Sequence, residues 1–145
     1  NSHAIHFGTG DDRMFEPAQI LESISELTNI TLDFTVYDLD GDGDLDIFAN
    51  SYYQYGSFTP VIQYYENMGG KTFVNKTKEV FDGDSYINPG YQRSDWIKMM
   101  DYDNNGMIDL MIEVKNYKVD GAGQYQPTDF IGWEFRGGKF YKKTI

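Results

Sequence analysis

The stretch Asp38-Leu-Asp-Gly-Asp-Gly-Asp-Leu-Asp46 returns 63 residues later (101 minus 38) as Asp101-Tyr-Asp-Asn-Asn-Gly-Met-Ile-Asp109. Both copies carry an acid at positions 1, 3 and 9, an acid or its amide at position 5, glycine at 6 and an apolar residue at 8. The residues Leu32–Tyr37 lead into the first copy as a strand. After the second copy Ile108, Leu110, Ile112 and Val114 alternate with Asp109, Met111 and Glu113. That period of two is the pattern of a half-buried strand, so each acidic segment is expected to be the loop of a β-hairpin.

A second element occurs three times: an apolar pair, a glycine-containing turn, then phenylalanine. It runs from Ile5-His-Phe-Gly-Thr-Gly to Phe15, as Tyr64-Tyr-Glu-Asn-Met-Gly-Gly-Lys-Thr-Phe73, and as Trp133-Glu-Phe-Arg-Gly-Gly-Lys-Phe140; Thr77 and Thr144 follow the last two. Each unit therefore reads as strand, acidic loop, strand, long connection (Asn50–Pro60, then Asn116–Thr128), and two strands around a Gly-Gly turn. A repeat of this kind announces stacked supersecondary units. The expected fold is all-β, with tandem four-stranded antiparallel units over residues 32–94 and 95–145. Residues 1–31 hold the end of a preceding unit and a linker. One stretch points elsewhere: Pro17–Leu27 sets Ile20, Leu21, Ile24 and Leu27 on one helical face behind a proline suited to the first turn, and predicts a short helix. Lys76–Phe81 is expected to form a single turn.

Composition narrows the function. With 145 residues and 40% hydrophobic content, the chain can pack a core, and 12 Tyr, 10 Phe and 2 Trp favour strands and supply packing area. A net charge of -11 repels nucleic-acid phosphates and suits cation binding. The absence of cysteine excludes disulfides and thiolate metal sites. No apolar run approaches the roughly 18 residues of a membrane span. The chain opens on Asn1 rather than Met, as a processed product or an excised segment would.

The acidic loops point to calcium at two sites. Calcium takes six to eight oxygen ligands in flexible geometry, chiefly carboxylates and carbonyls. Positions 1, 3 and 5 of a curled loop point inward together. The expected ligands are Asp38, Asp40, Asp42, the carbonyl of Asp44, and Asp46; in the second loop they are Asp101, Asp103, Asn105, the carbonyl of Met107, and Asp109. Gly43 and Gly106 permit the sharp turn, and Leu45 and Ile108 anchor each loop to the core. A solvated charge run would need neither the glycine nor the apolar anchor. An EF-hand would need Glu at position 12, where Ala49 and Ile112 stand, and flanking helices. Magnesium keeps its water and demands stricter octahedral geometry, so calcium fits better.

The doubled Asp-x-Asp-x-(Asp/Asn)-Gly-x-x-Asp loop, each copy followed by an apolar strand and a Gly-Gly-x-Phe hairpin, resembles the FG-GAP/VCBS repeat family, also found in the integrin α-chain head. The resemblance implies that each unit is a blade of a β-propeller with calcium between its first two strands. It implies an extracellular or cell-surface module for adhesion or for carbohydrate or protein recognition. The alternative it carries is a part of a secreted polysaccharide-degrading enzyme, although no catalytic constellation is recognisable in the residues. Some two and a half blades do not close a ring of the typical four to eight. Further blades of a parent chain, or self-association, are therefore expected.

Outside the loops, Tyr52, Tyr53 and Tyr55 in one long connection and Tyr117 and Tyr125 in the other pair apolar rings with polar tips. They suit stacking on sugars, a protein interface, or packing between blades. His3 and His6 have no nucleophile partners in any familiar pattern. Asp33 and Asp95, ahead of the acidic loops, suit either orienting strand ends by hydrogen bonds or simple solvation. Asn29-Ile-Thr31 and Asn75-Lys-Thr77 match the glycosylation sequon.

Overall fold

Runs rich in Thr, Val, Ile, Tyr and Phe fit a pleated surface and form the strands. The structure, a computed structural model, describes residues 3–11, 14–22, 28–53, 59–86, 93–115 and 129–143. Its strands are β1 (His3–Ile5), β2 (Gln19–Leu21), β3 (Thr28–Tyr37), β4 (Asp46–Tyr53), β5 (Thr59–Asn67), β6 (Phe73–Asn75), β7 (Arg93–Met100), β8 (Asp109–Lys115), β9 (Asp129–Arg136) and β10 (Lys139–Lys143). One helical turn, α1 (Thr77–Val80), follows β6 where a turn was expected.

The strands make two four-stranded antiparallel meanders, β3-β4-β5-β6 and β7-β8-β9-β10, and a two-stranded ribbon, β1-β2. In each meander the acidic segment joins the first two strands and the Gly-Gly turn joins the last two. The registers match between meanders. Ile47 faces Tyr65 and Phe48 faces Tyr64, as Leu110 faces Trp133 and Met111 faces Gly132. Tyr64 therefore corresponds to Gly132, and Tyr65 to Trp133.

Three expectations change. The helix over Pro17–Leu27 is replaced at Gln19–Leu21 by β2, which pairs with β1 through His3↔Leu21 and Ile5↔Gln19. There Leu21 is buried while its neighbour Ile20 is 61% exposed, an alternation of period two rather than a helical face. Tertiary pairing of a short apolar stretch overrides its helical spacing; residues 23–27 lie outside the described residues. The connection expected over Asn50–Pro60 is strand at both ends, since β4 runs on to Tyr53 and β5 begins at Thr59. Finally, β8 is buried on both faces: Met111 and Asp109 are as inaccessible as Leu110 and Ile112.

The meanders pack head to tail. Phe48 and Tyr64 on one face of the first sheet meet Leu110, Ile112, Trp133 and Ile97 on the opposite kind of face of the second, within one core cluster. Phe140 sits at its centre, stacked on Phe81 at 5.1 Å and edge-on to Phe48 at 5.8 Å. The turn after α1 locks this corner, with Phe81 bridging Phe140 and the Asp82 N–H donating to the Phe140 carbonyl at 3.1 Å. The other face of the first sheet, through Ala49 and Tyr65, packs under Leu21 and Ile5 of the ribbon. Asp33 ties the sheets directly: at a bulge in β3, its carboxylate accepts the Ile97 N–H at 3.0 Å. Asp95 lies in β7.

Truncating Phe140 to Ala is expected to cost about 3–5 kcal/mol of unfolding free energy. Phe34→Ser, at a residue 62% exposed on β3, is expected to change it by about 0.5 kcal/mol or less. Urea titration compares them, and equal effects would contradict a core shared between the two sheets.

Candidate metal centre

Each acidic loop is shaped by hydrogen bonds from its own backbone to its own carboxylates, and three of them recur in both copies. Leu39 N–H donates to Asp46 Oδ2 and Tyr102 N–H to Asp109 Oδ2, each at 2.9 Å. Gly43 N–H and Gly106 N–H donate to Oδ2 of Asp38 and Asp101 at 3.0 and 2.8 Å. Asp44 N–H and Met107 N–H donate to Oδ1 of Asp42 and Asn105, both at 2.8 Å. Short acidic and amide side chains form such turns with the backbone a few residues on. The turns hold the side chains of positions 1, 5 and 9 in place.

Glycine at position 6 has positive φ in both copies, 96° at Gly43 and 87° at Gly106. Position 4 is also left-handed, at Gly41 (φ 77°) and Asn104 (φ 59°). Asn is among the few side chains that tolerate this conformation. The pairing of Gly with Asn at position 4 was the sequence signal for it.

Carboxylate oxygens of Asp38, Asp40 and Asp42 lie within 4.8 Å of one another, and so do those of Asp101, Asp103 and Asp109. Hard oxygen donors gathered this closely could hold a metal ion. Asp46 lies at the foot of the first loop, outside the cluster of Asp38, Asp40 and Asp42. It is fully buried and committed to the protein, with Oδ2 also taking the Tyr64 hydroxyl at 3.0 Å and Oδ1 the Asn67 N–H at 2.8 Å. Asn67 closes the same corner through its Nδ2 on the Leu45 carbonyl at 3.2 Å. The Asp44 carboxylate turns toward the Gly-Gly turn, where a Cβ on Gly69 would stand 3.5 Å from its Oδ2.

Asp109 is equally buried but partnered by a cation. Lys143 Nζ lies 3.0 Å from Asp109 Oδ1, 3.0 Å from Asp103 Oδ2 and 3.5 Å from Glu134. Glu134 in turn accepts from Asn105 Nδ2 at 2.8 Å. The hydrogen bond to Asp103 holds Lys143 well above the usual lysine range, and the same contact holds Asp103 below the usual carboxylate range. In the first sheet the matching Lys76 pairs with Glu66 at 3.1 Å, and that hydrogen bond raises it. Burial, and then the nearby Asp46 carboxylate, push the Tyr64 hydroxyl far above the tyrosine range, so it stays protonated and donates. Tyr64, Asn67, Glu134 and Lys143 were not singled out by sequence reasoning. The matching Glu and Lys positions around the two Gly-Gly turns were their only signal.

Of the five tyrosines read as a recognition surface, two fall at the end of a strand. The Tyr52 and Tyr53 backbones end β4 instead of lying in a loop, and Tyr55, Tyr117 and Tyr125 lie outside the described residues. His6 follows β1, its ring nitrogen 3.3 Å from the Glu16 carbonyl. The Asn75 amide is spoken for, donating to the Glu22 carbonyl at 3.1 Å and to Gln63 at 3.2 Å. No helix among the described residues is long and apolar enough to cross a membrane.

A family model described as FG-GAP-like repeat matches residues 38–112, just over half of the chain, from the first acidic loop to the strand after the second. No curated protein and no solved structure matches the chain.

The Lys143 pair makes stability depend on pH in a defined direction. The part held by lowered Asp103 is present above the ordinary Asp pKa, about 4, and is lost as pH falls through the lowered value. The part held by raised Lys143 is present below the ordinary Lys pKa, about 10.4, and is lost as pH rises through the raised value. In chelator, the melting temperatures of wild type and Lys143→Met are therefore expected to differ most between about pH 5 and 10, and to converge toward both extremes. A gap that does not vary with pH would show that Lys143 acts by packing alone.

Proposed function

The chain belongs to the FG-GAP-like repeat family, and we propose that it is a calcium-binding, β-propeller-type module of the cell exterior, serving adhesion or the recognition of carbohydrate or protein. The observation that carries the calcium reading is the convergence of three carboxylates at equivalent places in two matched sheets. Asp38, Asp40 and Asp42 would hold one ion and Asp101, Asp103 and Asp109 the other, with carbonyls of Asp44 and Met107 within the same loops. Calcium would supply charge neutralisation and a rigid link between two strands, a structural contribution rather than a reactive one.

The physical case rests on repulsion. Like charges within a few ångströms disfavour one another's ionised forms, and the net charge of -11 adds a general self-repulsion. Two calcium ions bring four positive charges, taking -11 to -7. Each cluster gathers three carboxylates, but the first loop adds the negative charge of Asp44 and Asp46 beside them, whereas in the second Asn105 replaces one acid. Ligand charge is one determinant of calcium affinity, so the first site is the tighter. The extracellular placement and the recognition surface rest on the family alone.

Calcium that binds only the folded state stabilises it by about 2.7 kcal/mol at a hundredfold excess over Kd. Melting with calcium, magnesium or chelator is expected to show a gain for calcium well beyond that for magnesium. Asp40→Ala should remove more of this gain than Asp103→Ala. A melting curve indifferent to chelator, with no heat of calcium binding, would refute the calcium reading.

A further inference from the structure

The two sheets carry the same lysine and the same glutamate at matching positions but use them differently. In the first, the Tyr64 hydroxyl stands on Asp46, and Lys76 stays with Glu66. In the second, Gly132 takes the place of Tyr64 and lies opposite Lys143 in the β9–β10 register. With no ring in that place, the Lys143 ammonium reaches Asp103 and Asp109, both at 3.0 Å. These are two of the three carboxylates that converge in the second loop.

We propose that Lys143 is a tethered counterion of the second loop, which a divalent cation must displace and which then passes to Glu134. This rests on the calcium reading of the loops and deepens it. An ammonium group and a calcium ion cannot share Asp103 and Asp109, because two cations a few ångströms apart repel. The receiving carboxylate is already in place, since Glu134 lies 3.5 Å from Nζ and is 15% exposed. It is held beside the loop by the amide of Asn105. Transfer of Lys143 therefore requires a small side-chain rotation and no strand movement.

Two consequences follow. The second loop keeps its shape without metal, because an internal cation neutralises Asp103 and Asp109. It also binds calcium more weakly than its carboxylates alone would, because binding must break two ion pairs. The chain then fills its sites in sequence as calcium rises, the first loop before the second.

The test is calorimetry of calcium binding to Asp40→Ala, in which the second loop is the intact one, with and without Lys143→Met. Methionine keeps the length and apolar stem and removes the charge. Lys143→Met is expected to tighten the second site at least tenfold and to lower the melting temperature in chelator. It should leave the first site unchanged when measured in Asp103→Ala. Lys143→Arg keeps the charge and should retain the weak affinity; tightening by Arg as well would trace the effect to packing and overturn the proposal. Intact binding at the first loop with a second-loop affinity unmoved or weakened by Lys143→Met overturns the proposal alone. Absence of calcium binding to the wild-type chain overturns the proposal together with the calcium reading.

Discussion

A carboxylate withdrawn from water at the foot of each acidic loop has to be met by donors, because an unpartnered buried charge costs several kcal/mol. Asp46 and Asp109 have no exposed surface, and each stands where the loop re-enters the sheet. One oxygen of each takes the backbone N–H of the loop's second residue, which closes the loop on itself. The remaining capacity reaches outward: from Asp46 to the third strand through Tyr64 and Asn67, and from Asp109 to the fourth strand through Lys143. The loop is thereby fixed to strands far from it in sequence. In the second loop Asp109 is itself one of the three carboxylates that converge, whereas in the first the three are Asp38, Asp40 and Asp42.

The packing of the sheets sets which donor is available. Asp46 and Phe48 share a face, and that face is pressed onto the second sheet, where a neutral hydroxyl on an aromatic ring serves both the core and the carboxylate. The equivalent face of the second sheet carries Asp109 and Met111 and turns away from the first sheet. A lysine with its ammonium 3.0 Å from the acid fits there, since a long stem packs on apolar surface while its head meets the charge. Head-to-tail stacking thus makes sequence-equivalent positions physically inequivalent. The ribbon β1-β2 covers the remaining face of the first sheet through Leu21 and Ile5, so each face of that sheet has a cover.

Much of this was legible in the residues because the repeat states it twice. The four-strand order, the two Gly-Gly turns and the gathering of acids at loop positions 1 and 3 all follow from patterns that recur at a fixed offset. Where the chain does not repeat, reading failed. Ile20 and Leu21 have helical spacing with Ile24 and Leu27, yet a three-residue strand formed because a partner strand was within reach, and no local pattern encodes a partner. The long connection was overdrawn: β-propensity carries β4 through Tyr52 and Tyr53. The protein partners of Asp46, Tyr64 and Asn67, lie 18 and 21 residues away, a separation that loop-position rules do not address.

The substitution of Gly132 for Tyr64 illustrates how one position redistributes charge across a unit. A tyrosine there supplies a hydroxyl to the buried aspartate and leaves the following lysine to its glutamate. A glycine supplies no hydroxyl, and the oxygen of Asp109 that the Tyr102 N–H does not take meets the lysine, which draws Asp103 and Glu134 into the same network. Asn105 is consistent with this arrangement. With a cation already among the acids, a fourth carboxylate is not needed to balance it, and the neutral amide donates to Glu134 while its oxygen holds the Met107 N–H. An aspartate at 105 would instead set a second carboxylate against Glu134. The differences between the two loops therefore belong together: Tyr64 with Asp42 in one, and Gly132 with Asn105 in the other, are two self-consistent ways of balancing the same buried acid.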